Sequence, residues 1–415
     1  MDRSPFSTLA HYWPALVALL VLVLLPVGRT AEAPLAIGGV AGLVFAWRLR
    51  AELSVQPGVR LAASIFACYW LAALVSAPGA VAPQKTWSTV AGALRFLPFA
   101  VFAALALRER RVWPGFVDAA AAIVVLWLLD AWVQILTGYD IAGASDATRL
   151  SGIFGAGNLK LGPVLAVLSP FVFVAAQRRL GWRGLTFAFV FQLMPILYAG
   201  SRSGWLMFGL VALAFAWRST HALPRFAVWM AGALCLAVVG AIVAGRGSDA
   251  FDARIERSLL ALQGTESALD AASAGRLRIW GTAVRMIAAH PLTGVGVRGF
   301  RYAYPQFAAP GDAFVDPASE EGAAHAHQIV LEVLSETGVV GLALWLAGTF
   351  VALRAWRRAG AEARERAFAP ALALAAMCFP FDTHLAFYSA WWGLLFWWLL
   401  ALYAAALGAD DGHGA

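Results

Sequence analysis

Charge is what this chain has least of. Only 13% of its 415 residues are Asp, Glu, Lys or Arg, against 61% hydrophobic, a balance that excludes a soluble domain of this size. Cysteine is scarce too. Cys68, Cys235 and Cys378 lie far apart inside apolar runs, which argues against a disulfide framework or a cysteine metal site and for small buried side chains. No internal repeat is seen, and no low-complexity segment beyond the polar tail after Gly408. The first apolar run has no convincing small-residue cleavage site behind it, so it reads as a helix and not a signal peptide.

Long apolar runs are there in abundance. A spanning helix needs roughly 20 apolar residues, because the hydrocarbon core is about 30 Å thick. Runs of that kind fall near residues 10–27, 34–47, 60–78, 88–107, 112–136, 159–176, 184–199, 203–217, 226–244, 327–353, 367–386 and 387–407. The expected fold is an all-α polytopic membrane protein with about 12 transmembrane helices. Nine lie in residues 1–244, a large loop occupies 245–326, three more helices fill 327–407, and 408–415 is a tail.

The arginines set the phase. Alternate loops hold Arg48, Arg50 and Arg60; Arg108, Arg110 and Arg111; Arg178, Arg179 and Arg183; Arg218 and Arg225; and Arg354, Arg357, Arg358, Arg364 and Arg366. The short loops between them are nearly bare. By the positive-inside rule, both termini are expected in the cytoplasm and the long loop outside. With Arg3, more than half of the 31 Lys and Arg lie inside, so the net charge of +7 is a topology signal and needs no nucleic-acid partner.

The long loop carries two amphipathic stretches, both expected to rest on the membrane interface. The first has Phe251, Ile255, Leu259 and Leu262 at a near-helical period, and the second runs from Arg276 to His290. Beyond Pro291, the glycines 294, 296 and 299 with Pro305, Pro310, Gly311 and Pro317 read as irregular chain.

Polar groups gather at the outer ends of the runs. Gly200-Ser201-Arg202-Ser203-Gly204-Trp205 holds an arginine between small residues in a tight connection, which suits an anion, since guanidinium binds phosphate bidentately; the plain alternative is a snorkelling arginine. Gly275-Arg276-Leu277-Arg278-Ile279-Trp280 opens the second loop helix. Arg276 and Arg278 diverge on a helix, so Arg276 at the N-terminus is the better anion ligand. His325 and His327 stand at the mouth of a span, and three roles stay open: general base or substrate positioning, a structural cap, or a metal site, for which His-x-His supplies only two ligands. His327, Leu331, Leu334 and Gly338 share a helical face, with Glu332 and Glu336 pointing elsewhere. Asp382 and His384 are candidates near the last outer turn. Arg95 sits inside the fourth span, where a charge needs a polar cavity or an anion. Lys160, after Gly155, Gly157 and Asn158, follows a glycine segment that matches no nucleotide loop.

Three of these motifs together resemble the bacterial O-antigen ligase and O-antigen polymerase superfamily. They are Ser-Arg-Ser-Gly-Trp after a span; Gly275-Arg276 ahead of Trp280, followed by His290-Pro291-Leu292-Thr293-Gly294-Val295-Gly296; and His327-Gln328 with nine residues before Gly338. The resemblance covers about residues 185–350. It implies a GT-C-like glycosyltransferase of the bacterial inner membrane with a periplasmic active site. The donor would be an undecaprenyl-diphosphate-linked glycan, and the reaction inverting, independent of metal and without cofactor. It assigns acceptor activation to His327 and diphosphate binding to Arg202 and Arg276; His325, Arg278, Arg95, Gln328, Asp382 and His384 are further candidate substrate contacts, outside what the resemblance assigns. The ligase branch, with lipid A-core as acceptor, is favoured; a polymerase extending lipid-linked glycan is the alternative, and a transporter the reading from another class.

Overall fold

Apolar runs become helices because a backbone in hydrocarbon must satisfy its own hydrogen bonds. A computed structural model of the chain describes residues 5–141, 143–144, 149–220, 223–247, 253, 256, 259–381 and 386–409. Its first helices are α1 (Pro5–Leu24), α2 (Glu32–Arg48), the single turn α3 (Arg50–Leu53), α4 (Pro57–Val75), α5 (Pro83–Ala93), α6 (Phe96–Ala106) and α7 (Val112–Thr137). They are followed by α8 (Leu161–Tyr198), α9 (Arg202–Thr220) and α10 (Leu223–Gly247). The long loop contains α11 (Glu266–Ala272), α12 (Arg276–Ala289) and α13 (Phe300–Phe307), and α14 (Ile329–Arg358), α15 (Ala361–Met377) and α16 (Ala390–Gly408) close the chain. α8 is two arms meeting at Gly181, whose φ of 59° breaks the helix between the two runs read there.

Each apolar run overlaps a helix. Among the described residues, six helices are long and apolar enough to cross a membrane: Pro57–Val75, Pro83–Ala106, Val112–Thr137, Leu161–Tyr198, Ile329–Arg358 and Ala390–Gly408. The chain is therefore an all-α polytopic membrane protein. α16 is apolar all round, as a helix at the centre of a bundle must be, and Trp397 and Trp398 on it are fully buried. Side chains of α16 also satisfy polar atoms across the bundle: Trp398 Nε1 donates to the Ala18 carbonyl at 2.8 Å and Tyr403 Oη to that of Ala352 at 2.8 Å. Small residues let α2 approach α6, since a Cβ on Gly42 would lie 2.0 Å from the Pro98 oxygen.

Arginines of the alternate loops collect at one end of the bundle. Arg110 pairs with Glu362 at 3.3 Å, Arg218 pairs with Glu365, and Arg179 pairs with Asp118 at 2.8 Å. Arg202 and Arg218 terminate opposite ends of α9, so the candidate site lies at the far end from this cluster.

The loop departs from expectation in two ways. The apolar stripe of α12 does not face lipid: Ile279, Ala283 and Met286 are buried against Val295, Phe300, Ala303 and Tyr304, giving the loop a small core of its own. The stretch read as irregular contains a helix, α13, bound to α12 through Arg285 Nε and the Phe307 carbonyl at 2.6 Å. Burial pushes the pKa of the Tyr304 hydroxyl upward, so it stays protonated and donates to Asp312 at 3.0 Å. Of the first amphipathic stretch, Phe251 and Ile255 lie outside the described residues, and Leu262 is 84% exposed.

Candidate active site

The glycines of the 290–299 segment and Gly338 serve one another. At Gly338 the backbone of α14 takes φ 64° and ψ −167°, which breaks the helix and frees backbone groups on both sides. The 291–296 segment takes them up. Val295 and Gly296 N–H donate to the Ser335 and Glu336 carbonyls at 2.9 and 3.0 Å, and Val339 and Val340 N–H donate to those of Pro291 and Leu292 at 2.9 and 3.2 Å. Only glycine allows the approach: a Cβ on Gly294 would sit 2.4 Å from the Glu336 carbonyl carbon, and one on Gly338 would sit 2.2 Å from the Leu292 oxygen. The same segment reaches the α4–α5 turn, where Val81 N–H donates to the Val295 carbonyl at 2.9 Å, and α5 itself, where Thr86 Oγ1 donates to that of Val297 at 3.0 Å.

The histidines precede α14 and are not part of it. Gln328 is the N-cap, its Oε1 accepting from Leu331 N–H at 2.6 Å, and its Nε2 donates to the Pro380 carbonyl at 2.8 Å. His327 therefore lies outside the helix, at a left-handed φ of 53°, and does not share the face expected from periodicity. Such a conformation costs a non-glycine residue about 1–3 kcal/mol and tends to persist at functional positions. It is held from both sides. Gln328 caps the helix after it, and Trp280 Nε1 donates to the Ala326 carbonyl before it at 3.0 Å. The half-buried His325 and His327 rings have centroids 3.9 Å apart.

Trp280 joins the histidines to the arginines, because it stands one turn beyond Arg276 on α12. Arg276 is the first residue of that helix, after Gly275 at φ 77°, where a Cβ would meet the Phe314 ring at 2.5 Å. Arg202 is the first residue of α9, and its guanidinium donates to the Ala272 carbonyl at the end of α11. The residues around it have structural work: Ser201 Oγ accepts from Gly204 N–H at 3.3 Å, Gly204 packs on Gly162, and Trp205 Nε1 donates to the Ile196 carbonyl at 3.0 Å. Two arginines thus open helices whose N-terminal N–H groups and dipoles also favour an anion.

Other candidates have partners within the protein. Arg278 pairs with Asp270 at 2.7 Å, on the far side of α12 from Arg276 as its spacing requires. Arg95 is gripped bidentately by Glu32 at 2.9 and 3.0 Å and donates to the Gly92 carbonyl, which accounts for a charge in a span without a substrate. Arg95→Leu is expected to destabilise the protein by about 1–3 kcal/mol, and Arg95→Leu/Glu32→Leu to recover most of that loss, as thermal unfolding in detergent would record. Lys160 Nζ lies 4.6 Å over the Trp391 ring. Asp382 and His384 lie outside the described residues. Among the described residues, no three His, Cys, Asp or Glu are grouped to hold a metal ion.

Periodicity sets two acids off the face of Leu331 and Leu334 but does not say what they meet. Glu332 and Glu336 are fully buried on the inward face of α14. Glu332 Oε1 accepts from Phe387 N–H at 2.7 Å, and Glu336 Oε2 from Arg298 N–H at 2.9 Å, so they fasten the segments before α16 and after the glycine motif. The signal available in the sequence was the cost of acids four apart in an otherwise apolar helix.

Residues 187–346 match the family model for O-antigen ligase. The matched segment runs from the second arm of α8 through the loop to beyond the break in α14, so it contains Arg202, Arg276, both histidines and the glycine clasp. No curated protein matches the chain.

Proposed function

We propose that this chain, with an O-antigen ligase segment built around two helix-opening arginines and a strained histidine, is a glycosyltransferase of lipopolysaccharide biosynthesis. It would move a glycan from undecaprenyl diphosphate to a hydroxyl of lipid A-core. The observation that carries the reading is the bond from Trp280 to Ala326, which couples the helix opened by Arg276 to the histidine pair. His327 takes the proton of the acceptor hydroxyl as its oxygen attacks the anomeric carbon from the face opposite the diphosphate. The glycosidic carbon–oxygen bond to the diphosphate breaks and the configuration inverts. Arg202 and Arg276 hold the diphosphate and stabilise the charge it gains on leaving, so the mechanism requires no metal. The arginine phase of the loops supports twelve crossings of the inner membrane, cytoplasmic termini and a site on the periplasmic side.

The test is transfer by purified protein in liposomes containing EDTA, with lipid-linked glycan donor and lipid A-core. Glycan on lipid A-core supports the ligase; lengthened lipid-linked glycan without that product makes the chain a polymerase; inactivity with both sinks the reading. Arg276→Ala is expected to lower kcat by about 10²–10³-fold, the usual loss when one preorganised electrostatic contact to the transition state is removed. A rise in donor KM alone would limit Arg276 to ground-state binding.

A further inference from the structure

At the end of the bundle away from the histidines, α7 and α15 both pack on α8 but not along each other. The gap between their first turns is a cleft, bounded by α8 below and by the last turn of α9 beside it. Its lining carries Arg110, Arg178, Arg218 and Arg366 against Glu362 and Glu365, four positive charges to two negative, an excess of two. Asp118 on α7 pairs with both Arg178 and Arg179, so counting those two adds one charge of each sign and leaves the excess unchanged.

The arginines reach this cleft from three directions. Arg110 crosses it to Glu362 at 3.3 Å, with side chains 50% and 70% exposed; exposed pairs of this kind are weak, so the guanidinium can turn to another anion. Arg178 Nη2 donates to the Pro114 carbonyl at 3.0 Å, and the Arg218 guanidinium is steadied 4.2 Å over the Phe368 ring. Deeper in, the lining changes character. Trp113 and Val117 follow Arg110 along α7, Val174 lies one turn before Arg178 on α8, and Ala369 lies beyond Arg366 on α15. The cleft is therefore charged at its mouth and apolar towards the bundle, the order in which a phospholipid presents its phosphate and its hydrocarbon.

We propose that this cleft binds an anionic phospholipid, with its phosphodiester between Arg110, Arg178 and Arg218 and the start of an acyl chain against Trp113 and Val117. Guanidinium grips phosphate oxygens bidentately. Basic pockets between spanning helices on the cytoplasmic side take anionic head groups, and the positive-inside rule sets these loops on that side. A zwitterionic lipid brings its own cation and leaves the excess charge unbalanced. The inference goes beyond the glycosyltransferase reading and does not depend on it, since Arg218 and Arg202 terminate opposite ends of α9. A lipid held there touches α7, α8 and α9 at once, so it stabilises the folded bundle.

The test is binding by the purified protein in detergent, read by native mass spectrometry and by thermal unfolding, with phosphatidylglycerol, phosphatidylcholine and inorganic phosphate as probes. Phosphatidylglycerol is expected to bind at least about tenfold tighter than phosphatidylcholine and to raise Tm, and inorganic phosphate at the same concentration to leave Tm unchanged. Arg110→Gln/Arg218→Gln is expected to weaken phosphatidylglycerol binding about 30-fold, the effect of two basic side chains beside an anionic lipid. Arg225→Gln, at an exposed position at the start of α10 and outside the cleft, should change it little. Glu362→Gln removes a competing carboxylate and should tighten binding about fivefold, a gain that no folding defect produces. Equal affinity for the two lipids, no response to the cleft variants, or an equal loss in Arg225→Gln would overturn the assignment. Stabilisation by inorganic phosphate as large as that by phosphatidylglycerol would make the cleft a site for a soluble anion and overturn the lipid.

Discussion

His327→Ala is expected to lower kcat/KM by about 10²–10⁴-fold, the contribution of a positioned general base, while the protein still folds. The separation of catalysis from folding follows from how the residue is held. The bond on one side is made to the Ala326 carbonyl and the bonds on the other by the Gln328 side chain, so removing the imidazole leaves the Trp280 anchor and the helix cap in place. Alanine at φ 53° would keep the same strained backbone. His325→Ala is expected to cost less, since its ring lies 3.9 Å from that of His327 and the proposed mechanism gives it no proton of the acceptor to take. Steady-state transfer assays on both variants, with melting curves in detergent, check the assignment. A larger loss in His325→Ala would exchange the two roles, and wild-type turnover in His327→Ala would remove the base altogether.

The second large effect is expected far from the chemistry. Gly338→Ala should destabilise the protein by at least about 3 kcal/mol or abolish recovery of folded material. Its φ of 64° disfavours any side chain, and the added Cβ would lie 2.2 Å from the Leu292 oxygen and 2.3 Å from its carbon. Those are backbone atoms, and Leu292 cannot retreat without losing the bond from Val340. Gly360→Ala is the control, because a Cβ there meets nothing within 4 Å, and it should change stability by no more than about 0.5 kcal/mol. Yield and thermal unfolding in detergent compare the two. Equal stability of the variants would mean that the clasp between 291–296 and α14 is not made.

Local signals carried the sequence reading a long way, and their limits are physical. Arg276 to His290 reads as an amphipathic helix and is one, because a 3.6-residue period is a property of the segment alone. What covers its apolar face is not, and the cover turned out to be α13 and the 323–326 segment instead of lipid. The start of α14 was misplaced at His327 because Leu331 and Leu334 continue the period, whereas the helix begins after the Gln328 side chain caps it. Glu332 and Glu336 were read only as lying off the face of Leu331 and Leu334, with no partner named for either. They are buried because Phe387 and Arg298, at distant positions in the chain, bring N–H groups to them.

The amino-acid sequence by itself determined that this is a membrane-embedded bundle of helices with arginine-rich loops in alternate positions, and that its arginine, histidine and glycine motifs resemble those of the O-antigen ligase family. Hydrophobic run length, charge phase and motif spacing are all short-range quantities, and each can be read without folding the chain. Only the tertiary structure decided which neighbours the polar residues meet. It committed Arg95 to Glu32 and Arg278 to Asp270, tied Trp280 to Ala326, and gave Gly338 its partner in the segment after His290. A buried charge or an opened backbone is satisfied by whatever the fold brings beside it, and that neighbour need not be near in sequence.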